Sequence, residues 1–393
     1  MAREPYALIY HDGLHVRGGA ERVFSYFLRF FEEVADLPYL VLTLTEINAF
    51  PYVRRLAKEK PHNFLTLHEA FKKHKILYVR LVRLLQTLYG VRKTRGKPRL
   101  LLVTKGVSMP HFTNLVGYVF RDADVKLLRL PDLYELNVLT GYSPQLHEKR
   151  KISLAPARAL NRLLAKSYNF GDAHFLANSP EMKEAILKAF SSLKNRVDVL
   201  YPPFDDEFFY PRSGLREDYS VAVIGRIHPS KNTHRALDIF REVKEGVRGA
   251  KLYIVGDVGD DRYHGWLIKE VAERDLSDSV TIVTDGRPEV LREYMWRSKV
   301  CWCLTSGYFG ITNVESLACG AIPIVLPGSR SSVGRFGYVA SNNREFAKLT
   351  VEILMRQTDW KRIIDGYRWV KGAFSQRAFF NRLHEIFKEL GIL

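Results

Sequence analysis

The chain has 393 residues, 46% hydrophobic and 26% charged, with 26 Gly and 17 Pro. That composition excludes a disordered, collagen-like or disulfide-miniprotein chain, and the length suits two domains of roughly 150–200 residues. Lys and Arg number 60 against 43 Asp and Glu, a net +17 that favours an anionic partner such as a nucleotide, nucleic acid or acidic lipid surface.

In chain order, ALIY (7–10) reads as an apolar strand running into a Gly-rich turn, with a helix from about Ala20. PYLVLTL (38–44), RLLLVTK (99–105), VKLLRL (125–130), AHFLA (173–177) and VDVLY (197–201) read as further strands. Ser179-Pro180-Glu181 opens a helix, with a capping hydroxyl, a proline in the first turn and an acid at the positive end of the dipole. YPPFDDEFFYPRSG (201–214), with three prolines and no periodicity, reads as a hinge. Beyond it come strands SVAVIGR (220–226), KLYIVGD (251–257), VTIV (280–283), VCWCL (300–304) and AIPIVL (321–326). Helices are expected over 233–240, 266–271, 288–296 and 314–319. Apolar strands alternating with amphipathic helices predict α/β domains built on parallel sheets covered on both faces.

Cys301, Cys303 and Cys319 form no metal-ligand or disulfide pattern, which fits a reducing compartment. The N-terminus lacks the apolar stretch of a signal peptide, and no run of about 18 apolar residues is available to span a membrane. Low Gln content with abundant Lys, Arg and Glu hints at a hot-growing source. Segment 71–99 carries ten Lys or Arg and no acid, with Ile76, Leu77, Leu81, Leu84, Leu85 and Leu88 at helical spacing. It reads either as a basic amphipathic helix for an anionic surface or as a helix whose stripe faces its own core.

Three loops carry candidate chemistry. Gly18-Gly19 precedes a helix and allows close approach of backbone to phosphate; a tight turn is the alternative. Arg226 and Lys231 follow a strand, where ligands of open parallel sheets bind, and suit a diphosphate; two solvated cations are the alternative. In Ser306–Gly320, Gly310 and the N–H groups after it suit phosphate. Glu315 either accepts from ribose hydroxyls or completes a capping box with Thr312. Gly320 is placed to end that helix. Asp122-Ala123-Asp124 reads as turn chemistry before a strand rather than as a metal site.

Together GGAERV (18–23), ANSPEMKEAI (177–186), VLYPPFDDEFF (199–209), VIGRIHPSKN (223–232) and FGITNVESLACGAIPIV (309–325) resemble the retaining, family 4 glycosyltransferases of GT-B fold. The similarity is greatest to mannosyltransferases acting on lipid-linked oligosaccharides. The resemblance implies two doubly wound Rossmann-like domains facing each other across a cleft. An acceptor-binding domain would span 1–202, a nucleotide-sugar-binding domain 203–370, and a C-terminal helix over 371–393 would pack back on the first. It also implies roles. Arg226 and Lys231 would hold and stabilise the leaving diphosphate, helped by Gly225, Gly310, Ile311 and Thr312, with Gly18 and Gly19 approaching the same phosphates. Glu315 would hold the ribose, and Asp285, Gly286 and Arg287 would border the base.

Two departures from the family pattern stand out. Gly307 occupies the position of its first glutamate, which touches the donor sugar. Arg129-Leu130-Pro131 stands where relatives have His-Tyr-Pro, leaving His111 or His11 as substitutes. Gly307, Tyr308, Phe309, His111 and Arg129 are therefore the candidates for contact with sugar or acceptor. The implied partners are a GDP- or UDP-sugar donor, a lipid-linked or other glycan acceptor, and an anionic membrane surface met through 71–99. No metal or other cofactor and no nucleic acid are expected. The expected location is the cytoplasm, at the inner membrane face. A catalytically impaired nucleotide-sugar-binding relative and an epimerase on the same scaffold are the alternatives.

Overall fold

The computed structural model describes residues 6–11, 13–14, 18–48, 50–73, 77–105, 119–120, 125–130, 173–305, 307 and 309–393. The chain divides into two compact units, Met1–Leu200 with Phe379–Leu393, and Tyr201–Ala378.

The first unit is built on a sheet of β1 (Ala7–His11), β2 (Tyr39–Thr43), β3 (Phe64–Thr66), β4 (Leu100–Lys105), β5 (Lys126–Arg129), β6 (His174–Ala177) and β7 (Val197–Val199). Its order is β3-β2-β1-β4-β5-β6-β7, and the pairs are parallel. Helices α1 (Gly19–Glu33), α2 (Pro51–Glu59), α3 (His68–Lys73), α4 (Leu77–Arg95) and α5 (Pro180–Ala189) accompany it. Every residue of β1 is buried, because alternate side chains point to opposite faces and both faces are covered. Ala7 and Ile9 join a core with Phe27 and Phe30 of α1. Leu8 and Tyr10 join a second core with Leu84, Leu88 and Val91 of α4. Leu84 and Leu88 of the basic segment's stripe, with Val91, thus face their own sheet. The segment's cations are partly engaged as well: Arg80 donates to Phe71 O at 2.9 Å and Arg95 to His62 O at 2.9 Å. At α5 the Ser179 hydroxyl accepts from Met182 N at 3.0 Å, the cap that its sequence predicts.

The second unit holds β8 (Glu217–Ile224), β9 (Lys251–Val255), β10 (Val280–Val283), β11 (Ser298–Cys303), β12 (Ile322–Val325) and β13 (Tyr338–Val339), in the order β10-β9-β8-β11-β12-β13. These pairs are also parallel. Its helices are α6 (His234–Gly246), α7 (Asp261–Glu273), α8 (Pro288–Arg297), α9 (Ile311–Ala318), α10 (Asn343–Leu354) and α11 (Trp360–Phe374). Asp260, Asn342 and Asp359 cap α7, α10 and α11 through side-chain oxygens. A last helix, α12 (Gln376–Glu389), carries the chain back into the first unit. There Phe379, Phe380, Leu383, Ile386 and Phe387 enter the core with Phe27 and Phe30.

Both sheets are wound outward in two directions from their first strand. The order reverses between β1 and β4 in one unit and between β8 and β11 in the other. In such sheets the crevice outside the carboxyl ends at the reversal is where ligands bind.

Candidate functional site

At the reversal of the second sheet, β8 ends at Ile224 and the chain turns through Gly225, whose φ is +143°. That backbone conformation strains residues with a side chain. Gly225 N donates to Val255 O at 2.9 Å and Ile227 N to Asp257 O at 2.9 Å, so this loop runs alongside the one that follows β9. Two further glycines allow the approach. A Cβ at Gly256, φ +155°, would lie 2.2 Å from Gly225 O. A Cβ at Gly259 would lie 2.5 Å from Arg226 Cδ. The Arg226 stem therefore lies across Gly259, in a space that exists because no side chain fills it.

Lys231 ends a single turn, Pro229–Lys231, capped by His228, which accepts from Ser230 N at 3.1 Å. Asn232 then adopts a left-handed conformation, φ +52°, and its Nδ2 donates to Leu304 O at 3.2 Å. This bond ties the loop after β8 to the loop after β11. Arg226 and Lys231 are both exposed.

The loop after β11 leads into α9, and here one sequence expectation is overturned. The helix begins at Ile311 with Gly310 as its N-cap, and no side chain caps it. Thr312 and Glu315 lie inside the helix, so they do not form a capping box, whose first member must be the N-cap residue. The start of α9 is left to glycine, which leaves first-turn N–H groups without a side-chain acceptor and at the positive end of the helix dipole.

A buried polar chain holds the helix start. Asn313, 2% exposed, donates to Ser332 Oγ at 3.0 Å, Ser332 donates to Ser329 O at 2.7 Å, and Ser329 Oγ donates to Gly307 O at 2.8 Å. Gly310 is fixed by the same chain, since a Cβ there would lie 2.5 Å from Asn313 Nδ2. Position 307 is open by comparison: among the described residues a Cβ would meet only Phe309 O, at 3.8 Å.

The other expected residues are placed as follows. Glu315 is buried, 3% exposed, in the middle of α9. Phe309 packs with Tyr201 and Phe374, ring centroids 5.7 and 5.5 Å away, so it serves the core. Asp285 and Arg287 pair at 2.7 Å on the surface, and the Arg287 guanidinium holds the Asp285 carboxyl below its usual range. Asp257 accepts from Gly286 N at 2.9 Å and so fastens that loop to the end of β9. Gly320 does end α9, at φ +88°, with Gly320 N on Leu317 O and Ala321 N on Ser316 O, both 2.9 Å.

In the first unit, Gly18 is the N-cap of α1 and Gly19 its first residue. A Cβ at Gly18 would lie 2.4 Å from Glu21 Oε2. His11 ends β1, fully buried, with Nδ1 2.8 Å from Thr104 Oγ1 and Nε2 3.9 Å from Glu21 Oε1. Arg129 ends β5. Ser306, Tyr308, His111 and the Asp122–Asp124 turn lie outside the described residues. Sequence reading missed Gly256, Asp257, Gly259, Asn313 and Ser329. The only signal was glycines recurring after KLYIV, and their steric meaning depends on the neighbouring loop.

Comparison with known proteins bears on the same region. Residues 206–333 match the family described as glycosyl transferases group 1. A D-inositol 3-phosphate glycosyltransferase of Segniliparus rotundus is 27% identical over 178 residues, 42% of this chain and 39% of that relative's length. Two solved structures are similar over nearly the whole chain. Anabaena HepE in complex with UDP-glucose has a TM-score of 0.71 at 13% identity, covering 98% of this chain and 99% of that one. Sucrose-phosphate synthase of Thermosynechococcus elongatus has a TM-score of 0.70 at 16% identity, covering 99% and 100%. At such identities the likeness establishes the fold. The chain is an α/β protein of GT-B fold, with two Rossmann-like domains, whose residues 206–333 match the group 1 glycosyl transferases.

Proposed function

We propose that the protein is a retaining glycosyltransferase that moves a hexose from a nucleotide-sugar donor to a glycan acceptor. The observation that carries this reading is the crevice at the reversal of the second sheet. There Gly225, Gly256 and Gly259 set out Arg226, a linked turn sets out Lys231, and α9 begins without a side-chain cap. Two cations and a helix N-terminus suit the diphosphate of a donor. The glycosyltransferase name of the similar Segniliparus relative, and the UDP-glucose held by the similar HepE structure, support it.

The donor diphosphate is assigned to Arg226, Lys231, Gly225 and the first residues of α9, the ribose to Glu315, and the base to the Asp285–Arg287 loop. The acceptor is assigned to the first unit, at the carboxyl ends of β1 and β4. In the retaining step the acceptor oxygen attacks the anomeric carbon on the face from which the diphosphate leaves. The bond from that carbon to the diphosphate oxygen breaks, and the acceptor proton passes to a leaving phosphate oxygen. Catalysis is then the stabilisation of developing charge by groups already in place.

The acceptor is proposed to be lipid-linked, with the cations of 71–99 meeting anionic headgroups at the cytoplasmic membrane face. The burial of Leu84 and Leu88 makes this a contact of charge rather than insertion. Sedimentation with anionic vesicles that falls as salt rises would support it.

The test is a screen of GDP- and UDP-sugars, GDP-mannose first, with lipid extract as acceptor and free nucleoside diphosphate as readout. Acceptor-dependent release that vanishes in the Arg226→Ala, Lys231→Ala protein supports a transferase. Nucleotide binding without release under any donor supports the second reading, an impaired relative, which Gly307 favours.

A further inference from the structure

The second unit contains a cavity of about 270 Å³ away from the crevice just described. It opens at the other edge of the sheet, among residues that begin strands: Arg216 precedes β8, Lys299 is the second residue of β11, and Ile322 and Tyr338 open β12 and β13. The crevice residues follow the strands' carboxyl ends. The eight residues of β8, at roughly 3.3 Å each, separate the two.

Arg216, Lys299, Arg356 and Arg362 line this cavity, against one acid in its wall, Asp359. Asp359 is already used as the N-cap of α11, accepting from Arg362 N at 3.0 Å. Arg356 has a carboxylate neighbour in Glu352, at 3.5 Å. Among the described residues Arg216, Lys299 and Arg362 have no carboxylate at ion-pair distance, although the charge of Asp218 favours the charged forms of Arg216 and Lys299. Lys299 is 4% exposed and donates to Leu354 O and Arg356 O at the end of α10. Arg216 donates to Ser298 O at 2.7 Å and to Cys319 O, at the end of α9, at 3.2 Å.

Capping helix ends explains part of this charge, but each end offers only roughly half a negative charge. Two ends, with Asp218 acting on Arg216 and Lys299 from beyond ion-pair distance, leave this cation-rich wall incompletely balanced, and an uncompensated buried charge is costly. Burial pushes Arg216 down to about 10, still charged at neutral pH. Two buried atoms also lack partners among the described residues, Arg216 Nε and Thr358 Oγ1, and both residues line the cavity. Apart from Gln357 and the Tyr338 hydroxyl, the rest of the wall is mainly apolar, with Leu317, Ile353 and Ile363, and with Phe336 beneath the Arg362 guanidinium, 5.9 Å from its ring centroid.

We propose that this cavity is a second ligand site, specific for a small organic phosphate with an apolar or aromatic body. Its volume lies below the roughly 300–1,000 Å³ of drug-sized pockets, which limits the body to about one ring. Three cations with no carboxylate in contact match a dianionic phosphate better than a singly charged carboxylate. The inference does not depend on the donor reading, because it uses none of the same residues.

Phenyl phosphate, benzoate, inorganic phosphate and benzyl alcohol are titrated separately into the full chain by calorimetry. Phenyl phosphate is expected to bind once per chain and more tightly than the other three. Arg362→Ala and Arg356→Ala, both at the more accessible side, are each expected to weaken it by roughly tenfold, the loss of one charge-assisted hydrogen bond. Their thermal midpoints report that the fold is kept. Arg226→Ala is expected to leave binding unchanged. Absence of saturable binding overturns the proposal, as does undiminished affinity in both arginine variants or loss of binding in Arg226→Ala. Equal affinity for inorganic phosphate overturns the organic body, and equal affinity for benzoate overturns the phosphate.

Discussion

Gly259 decides where Arg226 lies, and Gly256 decides how closely its loop approaches the next strand. A methyl at Gly256 would meet backbone at 2.2 Å, which cannot rotate away. Gly256→Ala is therefore expected to destabilise the second unit by about 1–3 kcal/mol, read as a lower denaturation midpoint. Arg226→Ala and Lys231→Ala should behave in the opposite way. Both side chains are exposed, so stability should hold, while kcat/KM with the donor found in the screen falls by roughly a hundred- to a thousandfold. Gly307→Glu is expected to fold normally, since among the described residues only Phe309 O lies near, at 3.8 Å. Raised turnover in that variant would identify position 307 as the cause of any low activity. Cys301 carries a prediction about alkali. Burial raises its thiol to about 12, against roughly 8.5 in the unfolded chain. The folded state therefore holds the proton that the unfolded state releases, and stability falls as pH rises above that lower value. Cys301→Ala should flatten the alkaline limb of a stability–pH curve.

At the scale of elements, α9 connects sequence to site most directly. Its eight residues lie between two glycines, Gly310 as N-cap and Gly320 just past the C-cap, and each glycine is needed for a different reason. Gly310 leaves room for Asn313, whereas Gly320 supplies the left-handed turn that returns the chain to β12. The Asn313–Ser332–Ser329–Gly307 chain is complete, so cutting it strands buried polar groups. Asn313→Ala is expected to cost about 1–3 kcal/mol and, with it, donor affinity. A variant that lost stability alone would separate α9 from the donor site. Glu217 shows the same logic at a strand end. Burial alone would raise its carboxyl, but the Tyr253 hydroxyl at 2.6 Å and the Arg297 guanidinium at 2.7 Å outweigh that and lower it. This contribution is present above the usual carboxylate range and is lost as pH falls below it.

For the whole molecule, the chain leaves the first unit at Leu200 and returns to it at Phe379. The first unit is therefore completed by residues at the far end of the sequence. Phe387 is fully buried, 5.3 Å from Phe30 between ring centroids. Phe387→Ala should cost about 3–5 kcal/mol in the first unit only. Calorimetry would show this as a shift of one of two transitions, since separate units need not melt together. A single transition shifted as a whole would mean that the units unfold as one.

The sequence by itself determined the alternation of elements. Runs such as ALIY and SVAVIG are legible because strands covered on both faces admit little besides apolar residues, and Ser179-Pro180-Glu181 because capping is local chemistry. It also determined which residue types stand after β8 and β11. Short edge strands such as β3 and β13 were not legible, because two or three residues carry no periodicity. The start of α9 was misread because Thr312 and Glu315 have the spacing of a cap, whereas the helix starts two residues earlier, with Gly310 as its N-cap. Whether the stripe of 71–99 faced core or surface was undecidable from spacing, and burial resolved it for Leu84 and Leu88. The roles of Gly256, Gly259 and Asn313, and the gathering of Arg216, Lys299 and Arg362 around one cavity, were decided by tertiary structure alone. Each is a relation between segments distant in the chain, and a space left by a missing side chain has meaning only once its neighbour is in place.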